Sequence, residues 1–238
     1  MRPADDRSRS VARFYALHLA LPLLLAGGLL YVLETTDLEL ATLEAVYDRG
    51  TGRFPWREHW VTEQLLHNWA KYAVIALGVA LLAGLAASFR SPLWRVRRRR
   101  IVYVLVCMTV GTVLTAALKK SSGRYCPWDL EQFGGWAPYV RLLEPPVRVG
   151  KAGGCFPCGH ASTAFALTSL YFALRDVRPR AARWTLAGVL TFGFVLGAGR
   201  IVQGAHFPSH VFATALLCWL VSLLFYELML RRADSARS

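Results

Sequence analysis

Four short segments hold side chains able to act on a charged group. They are Lys119-Lys120, Cys155-Phe-Pro-Cys158-Gly159-His160, Arg200, and His206-Phe-Pro-Ser-His210. Lys and Arg supply fixed positive charge, and the Arg fork matches two phosphate oxygens at once. Gly159 is expected at a helix start, where free backbone N–H groups and the helix dipole favour an anion. A neutral imidazole attacks phosphorus, and a second imidazole, when protonated, delivers a proton to a leaving oxygen. Together these types point to metal-free phosphoryl transfer, with the positive side chains stabilising the equatorial oxygens.

Rival readings use the same residues. Cys155-x2-Cys158 and His206-x3-His210 each have zinc-ligand spacing, but Lys119 and Arg200 would then stand beside a cation. An anion channel or carrier would more often show inverted repeats and a midplane site, and no internal repeat is visible. A single His at a membrane interface is usually just solvated; three of the six, converging with Arg200 and Lys119, are harder to dismiss.

The elements that must position these groups are membrane spans. The chain is 55% apolar with mean hydropathy +0.34, too apolar for an ordinary soluble domain of 238 residues. The expected fold is an all-α integral membrane protein with six transmembrane helices, forming one domain over 1–238 whose motif core is 119–210. The spans are Phe14–Leu33, Tyr72–Ser88, Ile101–Leu118, Ala161–Leu174, Trp184–Gly199 and Val211–Leu230. The first is read as an uncleaved anchor, since its apolar stretch is too long for a signal peptide. The stretch Phe54–His67 reads as an interfacial amphipathic helix.

The net charge of +13 belongs to orientation and anion binding, since the chain has no nucleic-acid-binding motif. Arg2, Arg7, Arg9 and Arg13, then Arg90 and Arg95 with Arg97 to Arg100, fall on one side. Arg175, Arg178, Arg180, Arg183, Arg231, Arg232 and Arg237 fall on that side too, which places it and both termini in the cytoplasm. The long loops 34–70 and 119–158 lie on the opposite, outer side. Cys107 and Cys218 read as packing residues within spans. Cys126, Cys155 and Cys158 lie outside; a Cys126–Cys155 disulfide is one pairing among those the spacing leaves open. Glu58, His59 and His67 read as solvated or headgroup-facing, with capping of the site as the alternative, Trp128 as a turn anchor or pocket wall, and His18 and Glu227 as locally paired.

In this arrangement the residues resemble the type 2 phosphatidic acid phosphatase superfamily. Its motifs Lys-x6-Arg-Pro, Pro-Ser-Gly-His and Ser-Arg-x5-His-x3-Asp correspond to three stretches here. They are Lys119-x6-Cys126-Pro127, Pro157-Cys158-Gly159-His160 and Gly199-Arg200-x5-His206-x3-His210. The resemblance implies His206 as nucleophile, His160 as general acid, and Lys119 and Arg200 as phosphate ligands, with no cofactor. Three positions depart from it. Cys126 stands where the family has Arg, so Lys120 or Arg124 is expected to take over phosphate binding. Cys158 replaces a hydroxyl by a thiol, leaving nearby backbone N–H groups, Gly159 included, to help. His210 replaces the orienting Asp and is expected to accept the Nδ1 proton of His206; a slow or inactive member is the alternative. The resemblance implies a lipid phosphatase of the bacterial inner membrane, its site facing the periplasm or exterior. Lipid A, undecaprenyl diphosphate, phosphatidylglycerol phosphate and phosphatidic acid types are the candidate substrates. A lipid phosphotransferase remains open, as does the oligomeric state.

Overall fold

The computed structural model describes residues 4–151 and 153–231. Arg2, Arg232 and Arg237, counted above, lie outside them. Every regular element among the described residues is helical. Five helices are long and apolar enough to cross a membrane. They are α1 (Arg9–Thr35), α3 (Val61–Ala87), α4 (Arg98–Ser121), α7 (Pro179–Val202) and α8 (Pro208–Arg231). A short α2 (Leu38–Glu44) follows α1, and α5 (Gly159–Phe165) and α6 (Thr168–Arg175) precede α7. The expected fourth span is therefore two short helices. Hydroxyls explain the break: Ser162, Thr163, Thr168 and Ser169 each bond a carbonyl three residues back, in competition with the helical ladder.

This broken segment is the centre of the bundle. α5 and α6 pack on α4, α7 and α8, and Ala161, Ala164, Phe165 and Phe172 are buried. The Phe165 ring lies against Gly193 of α7, where an added Cβ would meet it at 2.3 Å. α1 and α3, by contrast, leave most of their apolar surface uncovered, as lipid-facing helices do.

At the arginine-rich end, the guanidinium groups of Arg175 and Arg231 lie 4.4 and 4.3 Å from the Phe14 ring. His18 pairs locally, with Nδ1 2.8 Å from the Phe14 carbonyl and Nε2 2.7 Å from Tyr171 Oη. Glu227 pairs with Arg231 at 2.7 Å.

At the opposite end the loops build a second core of Leu43, Phe54, Leu130, Phe133, Ala137 and Phe207. The expected amphipathic helix is not separate. Phe54 is buried in this core, residues 54–59 form turns, and the helix beginning at Val61 runs straight on through α3. Trp56, Trp60, Trp69 and Trp136 stay exposed at this end, as do Trp94 and Trp184 at the other. Cys126 and Cys155 form a disulfide with Cα atoms 5.2 Å apart, tying the two ends of the long loop.

Two local devices set the start of α8. Proline at its first position supplies a fixed φ and no surplus N–H. Glu39 of α2 accepts the Ser209 N–H at 2.7 Å, satisfying an orphan donor from a distant part of the chain.

The disulfide closes a 29-residue separation. Replacing Cys126 or Cys155 by Ser is expected to lower stability by about 3 kcal/mol, with no further loss in the double variant. Alkylation of denatured, unreduced protein should label Cys107, Cys158 and Cys218 alone. Labelling of all five cysteines would rule the bond out.

Candidate active site

Arg200 and His206 owe their placement to the turn that ends α7. Gly204 has φ +69°, and an added Cβ would meet the Phe54 ring at 2.3 Å, so only glycine fits. The N–H groups of Gly204, Ala205 and His206 turn back to the Ile201 and Arg200 carbonyls, a helix C-cap. His206 emerges from this cap almost completely buried. Its Nδ1 lies 3.3 Å from Nδ1 of His210, four residues later in the first turn of α8. The His210 ring is held edge-on between Phe156 and Phe207, at 5.2 and 5.3 Å.

Cations surround this pair. Lys119 lies in the last turn of α4, its stem running past Gly159. Burial first, then the nearby His210, Lys119, Arg200 and His160, hold His206 well below the usual imidazole pKa. It is therefore neutral near pH 7, with a lone pair available. Burial likewise pulls His160 down to about 4, with His67 and Arg200 adding to it and a bond to Leu66 O opposing. That bond runs from His160 Nε2 at 2.8 Å, so Nε2 carries the hydrogen.

Arg200 is latched in place. Its Nη1 donates to Gln203 Oε1 at 2.6 Å and to His67 Nδ1 at 3.1 Å. Gln203 in turn donates to Arg57 O at 3.0 Å. The His67 ring stacks on His160, 4.3 Å apart and 3° from parallel. Trp128 has Arg57 at 4.5 Å and Arg200 at 5.8 Å from its ring, which favours the pocket-wall reading. His67 departs from the solvated reading, while Glu58 and His59 remain exposed as expected. His67 and Gln203 are additions that the motifs did not flag. Only the position of His67 near the outer end of a long helix, on the site side, could have marked it.

The remaining candidates separate. Cys158 is fully buried, and burial lifts its thiol to about 11 against the pull of the Ala161 and His160 amides. Its own N–H is taken by Thr214 Oγ1 at 2.9 Å. Gly159 opens α5 beside Lys119. Lys120 is exposed, and no contact joins it to the cluster among the described residues. Arg124 donates to the carbonyls of Arg141 and Leu142 at 2.8 and 2.7 Å, and to that of Glu144. Its guanidinium braces the loop through these carbonyls. Cys155, His206 and His210 bring ligand-type atoms within 4.8 Å of one another, but the Cys155 sulfur is spent in the disulfide. The set offers an anion a cluster of positive charge and imidazoles.

The sequence profile of the PAP2 superfamily matches residues 100–234. A curated relative, the lipid A 4'-phosphatase of Francisella tularensis subsp. novicida (strain U112), is 27% identical over 175 residues. That alignment covers 71% of this chain and 76% of the relative. No solved structure matches the chain.

The cluster predicts affinity for a free tetrahedral anion. Inorganic phosphate at ten times its Kd should stabilise the detergent-solubilised protein by about 1.4 kcal/mol, read as a rise in Tm. Arg200→Gln and Lys119→Gln should each remove most of that rise. A rise that survives both places the anion elsewhere.

Proposed function

From the PAP2 superfamily, to which this chain belongs, we propose a membrane lipid phosphatase working through a phosphohistidine on His206, with no metal. The observation that carries this is the buried imidazole pair. With its Nδ1 proton directed at His210, His206 keeps the Nε2 lone pair for attack. In the proposed cycle Lys119 and Arg200 hold the phosphate oxygens. Nε2 bonds to phosphorus as the bond to the leaving oxygen breaks, and His160 protonates that oxygen. A water then attacks phosphorus, gives its proton to His160, and releases inorganic phosphate and neutral His206. Burial keeps His160 neutral; an adjacent phosphate dianion favours its charged form, so binding the substrate arms the acid.

A lipid A-type phosphate is the substrate class we favour, on the strength of the relative named for that activity. Undecaprenyl diphosphate, phosphatidylglycerol phosphate and phosphatidic acid are the comparison arms. The test is phosphate release from these lipids in detergent, with a chelator present throughout. His206→Ala should abolish turnover and phosphoenzyme together. His160→Ala should cost about 10²–10⁴-fold with an alkyl leaving group and far less with a nitrophenyl one. Near-normal turnover in His206→Ala would defeat the mechanism.

We place the protein in the bacterial inner membrane with the site toward the periplasm and both termini in the cytoplasm. α5 and α6 then act as a sixth crossing over 161–174. The arginine-rich end supports this orientation, as does the Cys126–Cys155 bond, which belongs to an oxidising compartment. Reporter fusions after residues 95 and 140 should behave oppositely across the membrane; the same behaviour in both would overturn the topology.

A further inference from the structure

The replacement of the expected Asp by His210 leaves the proposed nucleophile with no carboxylate behind it. A developing imidazolium at His206 would then face Lys119 and Arg200 with nothing to offset its charge. A carboxylate nevertheless lies close by, on a part of the chain outside the matched residues 100–234. Glu39 of α2 is only 3% exposed, and its Oε1 accepts the Ser209 N–H at 2.7 Å, one residue from His210. Glu39, Ser209 and His210 share the wall of a small cavity with Arg124 and Tyr139. The cavity offers about 20 Å³ to water centres, room for one molecule. The Ser209 hydroxyl, 3% exposed at the residue level, is buried beside it against the Glu39 carboxylate, without a hydrogen bond of good geometry. A hydroxyl so placed needs an explanation, and an ordered water is the usual one. With His210 Nδ1 turned to His206, Nε2 is the ring nitrogen left for the cavity.

We propose that Glu39 is the positioning carboxylate of this site, acting on His206 through one cavity water and His210. The proposal rests on the phosphohistidine reading above. The hydrogen bonds run in one direction. His206 Nδ1–H donates to His210 Nδ1, His210 Nε2–H donates to the water, and the water donates to Glu39. Ser209 Oγ supplies the water's further partner. No proton need leave its nitrogen; the charge of Glu39 stabilises the cationic ring at the end of the chain. The charged and titratable groups facing Glu39 are Glu34, Arg141 and Tyr139. Those facing His210 are His206, Arg124 and Lys119. Glu39 is the one carboxylate among the described residues lining the cavity.

The experiment compares Glu39→Gln in two backgrounds, wild type and His210→Asp, using the lipid phosphate that wild type turns over best. Gln retains an acceptor for the Ser209 N–H but carries no charge. In wild type, kcat should fall roughly tenfold or more with KM within about twofold. The acid limb of kcat/KM, set by protonation of His206, should move to lower pH, because a cationic His206 is harder to form without the carboxylate. In the His210→Asp background, which carries its own carboxylate, the loss should shrink to about twofold or less. Equal losses in both backgrounds with an unmoved acid limb would mean that Glu39 merely caps α8, and would overturn the proposal. Unchanged kcat in Glu39→Gln would overturn it too, and an active wild type keeps that failure separate from failure of the phosphatase reading. If wild type releases no phosphate from any arm, both fall. Ser209→Ala keeps the backbone cap and removes only the cavity hydroxyl. It should lose kcat severalfold at unchanged Tm, and it decides the matter if Glu39→Gln does not fold; full activity there would count against the water.

Discussion

One nitrogen-to-nitrogen contact constrains the rest of this molecule. Two buried imidazoles meet through Nδ1 at 3.3 Å, so one nitrogen must donate and the other must accept. If both rings were charged, two donors would face each other without an acceptor, amid the charges of Lys119 and Arg200. Buried donors left unmatched cost about 1–3 kcal/mol each, and unpaired buried charge costs more. The surroundings serve to keep this pair neutral and aligned. The Gly204 cap fixes one ring's backbone, the start of α8 fixes the other, and Phe156 and Phe207 close off the sides.

The loops can hold these parts because they are built as a small domain of their own. Phe54, Leu130, Phe133 and Phe207 give them an apolar centre, and arginines satisfy their irregular backbone. Arg124 takes the carbonyls of residues 141, 142 and 144. Arg141 takes those of Glu34 and Thr36, and pairs with Asp37 at 2.8 Å. Glu34 answers by accepting the N–H groups of Leu142 and Leu143. Without such partners these carbonyls would carry a desolvation penalty. Much of the positive charge at this end is thus structural, and only part of it faces the pocket.

This division explains what could be read from the sequence and what could not. That Lys119, His160, Arg200, His206 and His210 come together is readable from the sequence, because chemistry restricts residue type and helix ends restrict spacing. Arg124 shows the limit of that reasoning: a guanidinium near the motif reads as a ligand, and only the structure gives its carbonyl partners. The stacking of His67 on His160 is not readable from the sequence, because it depends on helix α3 starting early at Val61 and reaching over the site. The apolar pattern from Phe54 suggested one amphipathic helix, yet Phe54 turns inward to the loop core. Five spans matched their apolar runs, most of them with extended ends. The remaining segment broke at its hydroxyl-rich centre, where lateral packing replaces local regularity.

The exposed tryptophans carry a consequence for selection. Trp56, Trp60, Trp69 and Trp136 ring the site end, and Trp94 and Trp184 mark the other. Indoles settle at the headgroup level of a bilayer, so these side chains fix the protein's altitude as floats fix the draught of a hull. In the proposed orientation His206, two residues before α8 begins, would sit near the plane where lipid phosphates lie. Elevation itself then discriminates: an amphiphile arrives with its phosphate at the working height, whereas a soluble ester must be brought down to it.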